Sequence, residues 1–128
     1  MNIVKVGAVV VYNNKILVIK RSKESGGFWQ TVTGTAEEGE TLERALNREV
    51  YEETSLTGIS SYPSILHSFI WYKKEIEYLE IIFLFKASSD KVKLSDEHTA
   101  FEWLEPEKAM EKVKMESNKT VIQKAINL

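Results

Sequence analysis

The stretch that decides the fold of this chain is GTAEEGETLERALNREVYEETSL, residues 34–56, which packs seven glutamates into 23 positions. From Thr41 onward, the apolar residues of this stretch recur at helical spacing and form one stripe. They are Leu42, Ala45, Leu46 and Val50. Threonine is a preferred N-cap residue, and the acids just before Thr41 suit the positive end of a helix dipole. We therefore predict a helix that begins after Thr41.

Three glutamates of this predicted helix share one face. At roughly 100° per residue, Glu49, Glu52 and Glu53 fall on a single arc. Carboxylates one turn apart repel each other, no lysine is interleaved among them, and only Arg48 lies beside them. A solvated helix face is the commoner role of a lone ExxEE pattern. The alternative is a divalent-cation site, because clusters of hard oxygen ligands suit Mg²⁺ or Mn²⁺.

The sequence around the helix favours the metal site. A strand-like segment, residues 28–33, comes first, and a loop containing Gly34 and Gly39 then leads into the helix. Together with the acids, this arrangement resembles the signature of the Nudix family of pyrophosphohydrolases. The matching positions are Gly34, Glu40, Arg48, Glu49, Val50, Glu52, Glu53 and Leu56.

The chain departs from that signature at Ser55, where the family usually has glycine, and often also at Thr33. Ser55 lies near the C-terminal end of the predicted helix, where glycine commonly adopts the left-handed conformation. A serine there should cost some stability or move the helix end by one residue. Because it removes no metal ligand or base, we expect activity to be retained.

Composition and length fit a single enzyme domain spanning residues 1–128. Hydrophobic residues make up 43% and charged residues 28% of the chain, ordinary values for a globular protein. The absence of cysteine excludes disulfides, thiol nucleophiles and zinc–thiolate sites. A formal charge of −2 gives no electrostatic case for a nucleic-acid partner. The apolar runs are too short to cross a bilayer and no basic leader is seen, so we expect a cytoplasmic protein without membrane contact.

Strand patterns flank the glutamate helix on both sides. Residues 4–12 and 16–20 are β-rich and are joined by Asn13-Asn14, a pair that tolerates a tight hairpin turn. Residues 65–72 and 76–85 form a second predicted pair of strands. The end of that pair is too continuously apolar for a one-sided strand, so we expect it in the centre of the sheet.

The C-terminal part is predicted to add one strand and two helices. The strand covers residues 100–104, and Pro106 suits the first turn of a helix that ends near Val113. Ser117 is the expected cap of a last helix that ends at Asn127. The order of elements predicts an α/β/α sandwich with a mixed sheet, which is similar to the Nudix fold.

Cleavage of a diphosphate linkage requires neutralised phosphoryl oxygens, a water in line and a stabilised leaving phosphate. Mg²⁺ can supply these functions, with Mn²⁺ as a possible substitute. Glu49, Glu52 and Glu53 offer hard ligands on a rigid helix. The resemblance implies that a loop carbonyl near Thr33 or Gly34 completes the metal site.

The general base has two candidates, Glu49 and Glu97, because members of the family differ in where the proton goes. Arg48 is expected to orient a glutamate rather than to bind phosphate, and Glu40 to support the site by bonding the loop or Arg48. For His98 we expect a hydrogen-bonding role.

Four residues are candidates for binding the substrate: Trp29, Arg21, Lys20 and Asn118. Trp29 could stack on a flat heterocycle, whereas Phe28 suits core packing at least as well. Lys20 and Arg21 could meet phosphates, although solvent exposure is an equal alternative. Asn118 could cap the last helix and also contact the substrate.

Further resemblance points to bacterial dihydroneopterin triphosphate and dATP pyrophosphohydrolases. It rests on FWQ-x-VTG at residues 28–34, EH-x-A-x-x-WL at 97–104 and Ser117-Asn118. Those enzymes tend to have a longer insertion between the two middle strands, which leaves the contacts to the ring undefined.

We therefore expect a Mg-dependent, MutT-like hydrolase of a nucleotide or pterin triphosphate that releases pyrophosphate, acting as a monomer or homodimer. The alternatives are a diadenosine tetraphosphate or ADP-ribose hydrolase and a non-catalytic nucleotide-sensing module.

Overall fold

Strand β1 (Asn2–Tyr12) lies at the centre of the sheet in a computed structural model that describes residues 2–59 and 64–127. One edge of β1 pairs in parallel with β6 (Ile76–Lys86). Its other edge pairs antiparallel with β2 (Lys15–Arg21) near the hairpin turn. These pairings confirm the predicted mixed sheet and place β6 in its interior.

The sheet splits where β1 and β2 diverge. Strand β3 (Trp29–Gln30) pairs with β2, whereas β4 (Val32–Thr35) pairs with β1. The predicted continuous strand over residues 28–33 is therefore wrong, because the chain passes from one half of the sheet to the other at Thr31. There the backbone N–H of Thr31 donates to Oδ1 of Asn118 at 3.4 Å.

The remaining strands extend the sheet on both sides. Strand β5 (Ser64–Lys73) pairs with β6 at one edge, and β7 (His98–Leu104) pairs with the outer side of β2. The β7 strand begins two residues earlier than predicted, so His98 is part of the sheet.

Helices cover both faces of the sheet and confirm the predicted α/β/α layers. Helix α1 (Leu42–Thr54) covers one face, where it buries Leu46 and Val50 against β1, β4 and β6. Helices α2 (Pro106–Lys112) and α3 (Glu116–Ile126) cover the other. Within residues 2–59 and 64–127, no helix has the length and apolar character needed to cross a membrane.

Local sequence signals explain most element boundaries. Asn13 and Asn14 both have positive φ, 51° and 62°, as the predicted hairpin turn requires. Thr41 caps α1 by accepting a hydrogen bond from the backbone N–H of Arg44. Ser55 ends the helix in the left-handed conformation, at φ 65°, so the helix does not shift to avoid it. The serine therefore carries the strain that glycine would avoid.

The predicted cap of the last helix is wrong. Helix α3 begins at Glu116 with Met115 as its N-cap, and no side chain caps it. Ser117 lies inside the first turn, and the backbone N–H of Asn118 donates to the carbonyl of Met115 at 3.0 Å.

Candidate active site

Gly34 brings β4 and α1 into direct contact. A Cβ atom built on Gly34 would lie 2.0 Å from the carboxyl group of Glu49, a distance that real atoms do not tolerate. The missing side chain therefore makes room for the Glu49 carboxylate against the loop backbone.

Arg48 connects the loop to the acidic face of α1. Its guanidinium binds both oxygens of Glu40, at 2.7 and 2.9 Å, and donates to the carbonyl of Thr35 at 3.0 Å. The same guanidinium donates to Glu49 at 2.9 Å and to Glu52 at 3.3 Å. Glu40 in turn accepts the backbone N–H of Glu37 at 2.8 Å. The geometry matches the orienting and supporting contacts expected of Arg48 and Glu40.

Glu53 is the most buried acid of the three, with 7% of its surface exposed. Its Oε2 accepts a hydrogen bond from Oγ of Ser95 at 2.9 Å. Nδ1 of His98 lies 2.7 Å from the same oxygen, without the alignment of a hydrogen bond. The segment before β7 therefore packs against the glutamate helix and carries Glu97 to the same place.

A cavity of about 400 Å³ opens beside these acids at the split in the sheet. Glu49, Glu52, Glu53 and Glu97 all line it. Two cations line the same cavity, Lys5 from β1 and Arg21 from the end of β2. The acidic part of the lining can thus hold a cation, and the basic part can face an anion.

A series of polar contacts links Arg21 to the acidic residues. Nε of Arg21 donates to Oε1 of Gln30 at 2.9 Å, and Nε2 of Gln30 lies 3.3 Å from Nε2 of His98, which contacts Glu53. Three residues of this site were not predicted from the sequence: Gln30, Lys5 and Ser95. A polar residue in the apolar FWQ-x-V run is the signal that could have marked Gln30.

The carboxyl groups differ in how readily they hold a proton. Burial raises the pKa of Glu49, although the Arg48 guanidinium opposes that shift. Burial also acts to raise the pKa of Glu53, but contacts with His98, Ser95 and Glu97 outweigh it and lower that pKa. The hydrogen bond with Glu53 raises the pKa of Glu97. As pH falls, the first proton on this carboxyl pair is therefore expected on Glu97.

Of the four predicted substrate-binding residues, only Arg21 lines the cavity. Trp29 packs against the α2–α3 core cluster with Nζ of Lys112 4.7 Å from the centre of its ring. Lys20 pairs with β3 and β7, and the side chain of Asn118 reaches the backbone of Thr31. The structure thus places these three outside the cavity, in packing or bridging positions.

The donor set of the cavity fits a hard divalent cation in its chemistry. Four carboxylates converge on one open space, and the bare backbone of Gly34 lies against one of them. Among the described residues, no three acidic or imidazole groups already form a closed metal site. Glu52 is turned toward Arg48 with 54% of its side chain exposed, and Glu53 is turned toward His98. Binding of a metal ion would therefore require the Glu52 and Glu53 side chains to rotate.

Comparison with known proteins agrees with this geometry. A model of the NUDIX domain matches residues 1–125. Dihydroneopterin triphosphate diphosphatase of Haemophilus influenzae is 31% identical over 133 aligned residues, covering 91% of this chain and 83% of that protein. The structure of the E. coli dihydroneopterin triphosphate pyrophosphohydrolase is 26% identical, with a TM-score of 0.77, and covers 98% of this chain and 96% of that one.

A further relative is much longer than this chain. An octanoyltransferase of Myxococcus xanthus is 32% identical over 114 residues, which are 87% of this chain. The match spans only 32% of that protein, about a third of its length.

Proposed function

This chain belongs to the Nudix family, and we propose that it is a Mg-dependent pyrophosphohydrolase acting on the triphosphate of a nucleoside or of a dihydropterin. The observation that carries the proposal is the convergence of four carboxylates on a cavity that Lys5 and Arg21 also line. The carboxylates can hold the divalent cation that accompanies a polyphosphate, and the basic residues can contact the negative charges of the polyphosphate.

Each wall of the cavity has a task in this proposal. Glu49, Glu52 and Glu53, together with the backbone carbonyl of Gly34, would hold Mg²⁺, which when bound would neutralise phosphoryl charge and lower the pKa of water. Arg48 orients the Glu49 carboxylate through a hydrogen bond at 2.9 Å, and it holds Glu52 at 3.3 Å until a metal ion binds. Arg21, braced by Gln30, orients the phosphate chain.

The proton of the attacking water goes to Glu49 or to Glu97. Burial raises the pKa of Glu49 and so makes it a stronger base than an ordinary glutamate. Glu97 lies in the segment before β7 and reaches the same cavity. The variants Glu49→Gln and Glu97→Gln separate the two roles, as argued in the Discussion.

A pterin or purine triphosphate is the favoured substrate class. The Haemophilus and E. coli relatives are named for dihydroneopterin triphosphate, and both align over most of this chain. The hairpin between β5 and β6 is closed by only two residues, Lys74 and Glu75, so the ring must be recognised by the strands themselves.

Product analysis tests the proposal. The purified protein is incubated with and without Mg²⁺ against dihydroneopterin triphosphate, the eight common nucleoside triphosphates, diadenosine tetraphosphate and ADP-ribose. We expect Mg-dependent release of pyrophosphate from a triphosphate, lost in Glu53→Gln and retained in Glu43→Gln, an acid on α1 that does not line the cavity. Tight binding without turnover of any member would refute hydrolysis and favour a sensing module.

A further inference from the structure

A strip of paired residues runs from the cavity toward the edge of the sheet, and its Phe69 end packs against the core cluster beneath α2 and α3. Lys5 lines the cavity, and its direct neighbours across the sheet are Thr35 on β4 and Glu80 on β6, which pairs with Phe69 on β5. Paired residues in a sheet point to the same face, so this row continues the cavity wall toward the sheet edge.

The next residue pair on the same face, toward the hairpin, consists of two stacked aromatic rings. Trp71 and Tyr78 are paired across β5 and β6, with ring centres 4.0 Å apart and an angle of 5° between the ring planes. Strands lie roughly 4.8 Å apart, so rings stacked at this distance stand upright on the sheet with their faces along the strand-to-strand direction. The other face of Tyr78 is therefore turned toward β1, where Ile3 is its paired neighbour.

Helix α3 forms one side of this strip. Its buried residues Val121 and Ile122 pack in the same cluster as Ile82, which lies one row further from the hairpin than Glu80. Tyr78 and Glu80 lie outside that covered row and are only half-buried. Lys5 at the cavity, Glu80 beside it and Tyr78 further toward the hairpin thus lie on one face of the sheet.

Glu80 is held at the side of the aromatic stack. Its Oε1 accepts a hydrogen bond from Nε1 of Trp71 at 3.0 Å. In the part of the chain that the structure describes, Oε2 has no hydrogen-bond or ion-pair partner. The carboxylate is thus fixed in position and keeps free acceptor sites next to the face of Tyr78.

We propose that Tyr78, Trp71 and Glu80 form the subsite for the ring of the substrate, and that this subsite selects rings with a ring N–H beside an exocyclic amino group. Guanine and the pterins carry that pair of donors, which a carboxylate accepts side by side. Adenine and cytosine instead place an unprotonated ring nitrogen beside the amino group, and that nitrogen repels a carboxylate. Lys5, between this subsite and the acids, meets the phosphate chain. This inference rests on the proposed function for the identity of that chain.

Binding of GMP, IMP and AMP to the full-length protein, measured by calorimetry without metal, tests the ring selection apart from catalysis. IMP has the ring N–H but lacks the amino group. We expect GMP to bind about tenfold or more tighter than IMP and AMP, as charge-assisted hydrogen bonds allow. Glu80→Gln should abolish this preference, and Tyr78→Leu should weaken all three ligands by about fivefold or more through lost stacking.

Two further variants separate a local effect from a fold defect. Glu77→Gln makes the same charge change on the same strand, but Glu77 pairs with Tyr72 and points to the opposite face. Glu77→Gln should leave the affinity for GMP within about twofold of the wild-type value. Trp71→Phe keeps an aromatic ring but removes the N–H that holds Glu80, so it should reduce the preference for GMP over AMP.

The outcomes distinguish this inference from the proposed function. Equal binding of the three nucleotides, or an unchanged preference for GMP in Glu80→Gln, would overturn the ring subsite even if Mg-dependent hydrolysis is observed. A GMP preference lost in Glu80→Gln would support the subsite even if no triphosphate is hydrolysed, in which case only the proposed function fails.

Discussion

Gly34 shows how much of this site depends on one missing side chain. The Glu49 carboxyl group occupies the space that any Cβ atom at position 34 would need. The spacing from Gly34 to the acids is visible in the sequence, but the reason for the glycine becomes clear only when β4 and α1 are seen packed together. The contact between these two elements is what positions the Glu49 carboxylate.

Gly34→Ala should remove activity with only a moderate loss of stability. The new methyl group must displace the Glu49 carboxylate, and small misplacements of catalytic groups cost about 100-fold in rate. Turnover of the preferred triphosphate and the thermal midpoint are measured together. Thr33→Gly is the control at the neighbouring position of β4 and should keep at least half of the activity; full activity in Gly34→Ala would show that Glu49 has no fixed role.

Glu49→Gln and Glu97→Gln should have different kinetic signatures. Loss of the general base lowers kcat by about 100- to 10,000-fold at saturating metal. Loss of a metal ligand instead raises the Mg²⁺ concentration needed for half-maximal rate. We expect one of these two variants to show the lowered kcat at every Mg²⁺ concentration. A loss below tenfold in both would mean that neither carboxylate accepts the proton.

Glu40 should make the protein sensitive to acid. The Arg48 guanidinium, with the Glu37 N–H, lowers the pKa of Glu40 from 4.5 to about 2. Because the folded-state pKa is the lower one, this stabilisation is complete above about pH 4.5 and is lost as pH falls toward 2. Urea midpoints between pH 2 and 7 should therefore fall less steeply for Glu40→Gln than for the wild type. Glu38→Gln, in the same loop, should follow the wild-type curve.

Helix α1 shows which element boundaries can be read from local sequence. The apolar stripe, the Thr41 cap and the left-handed position at Ser55 were all predictable, because each depends on residues within one or two turns. The start of α3 was not predictable in this way, because the helix begins after Met115 rather than after Ser117 and no side chain caps that end. The break at Thr31 also escaped prediction, since it follows from β3 pairing with β2 and β4 pairing with β1, which are long-range contacts.

Ser55→Gly should stabilise the protein slightly. Left-handed backbone costs a residue other than glycine about 1 kcal/mol, and Ser55 recovers part of this through the bond from its Oγ to the carbonyl of Lys93 at 3.1 Å. We expect a net gain of up to about 0.5–1 kcal/mol in the free energy of unfolding. Ser55→Ala keeps the strain and loses the bond, so it should be less stable than wild type. A destabilised Ser55→Gly would mean that the bond outweighs the strain.

At the scale of the whole molecule, the site is assembled from segments that are far apart in the chain. The contact of Gln30 with His98 spans 68 residues, and Lys5 lines the same cavity as the acids because β1 pairs with β4. Local patterns cannot reveal such contacts. The sequence predicted the acids and Arg21, whereas Lys5 and the contacts that link Arg21 through Gln30 and His98 to Glu53 required the fold.

Hydrogen exchange should reflect the layout of the sheet. Strands β1 and β6 are paired on both sides, whereas β5 forms an edge and exposes Ile70 and Tyr72. Amides of β1 and β6 should exchange slowest, and the outward-facing amides of β5 much faster. Equally slow exchange along β5 would show that a second copy covers this edge in solution, which would decide between monomer and homodimer.

The tight tip of the β5–β6 hairpin has a consequence for how such a scaffold diversifies. The tip lies at the surface, and both of its residues have positive φ. Insertions are accommodated most easily at such a position, because they disturb no buried backbone. Descendants of this chain could lengthen the tip and acquire new specificities while residues 34–56 stay unchanged, so that the chemistry is inherited and the choice of molecule evolves separately.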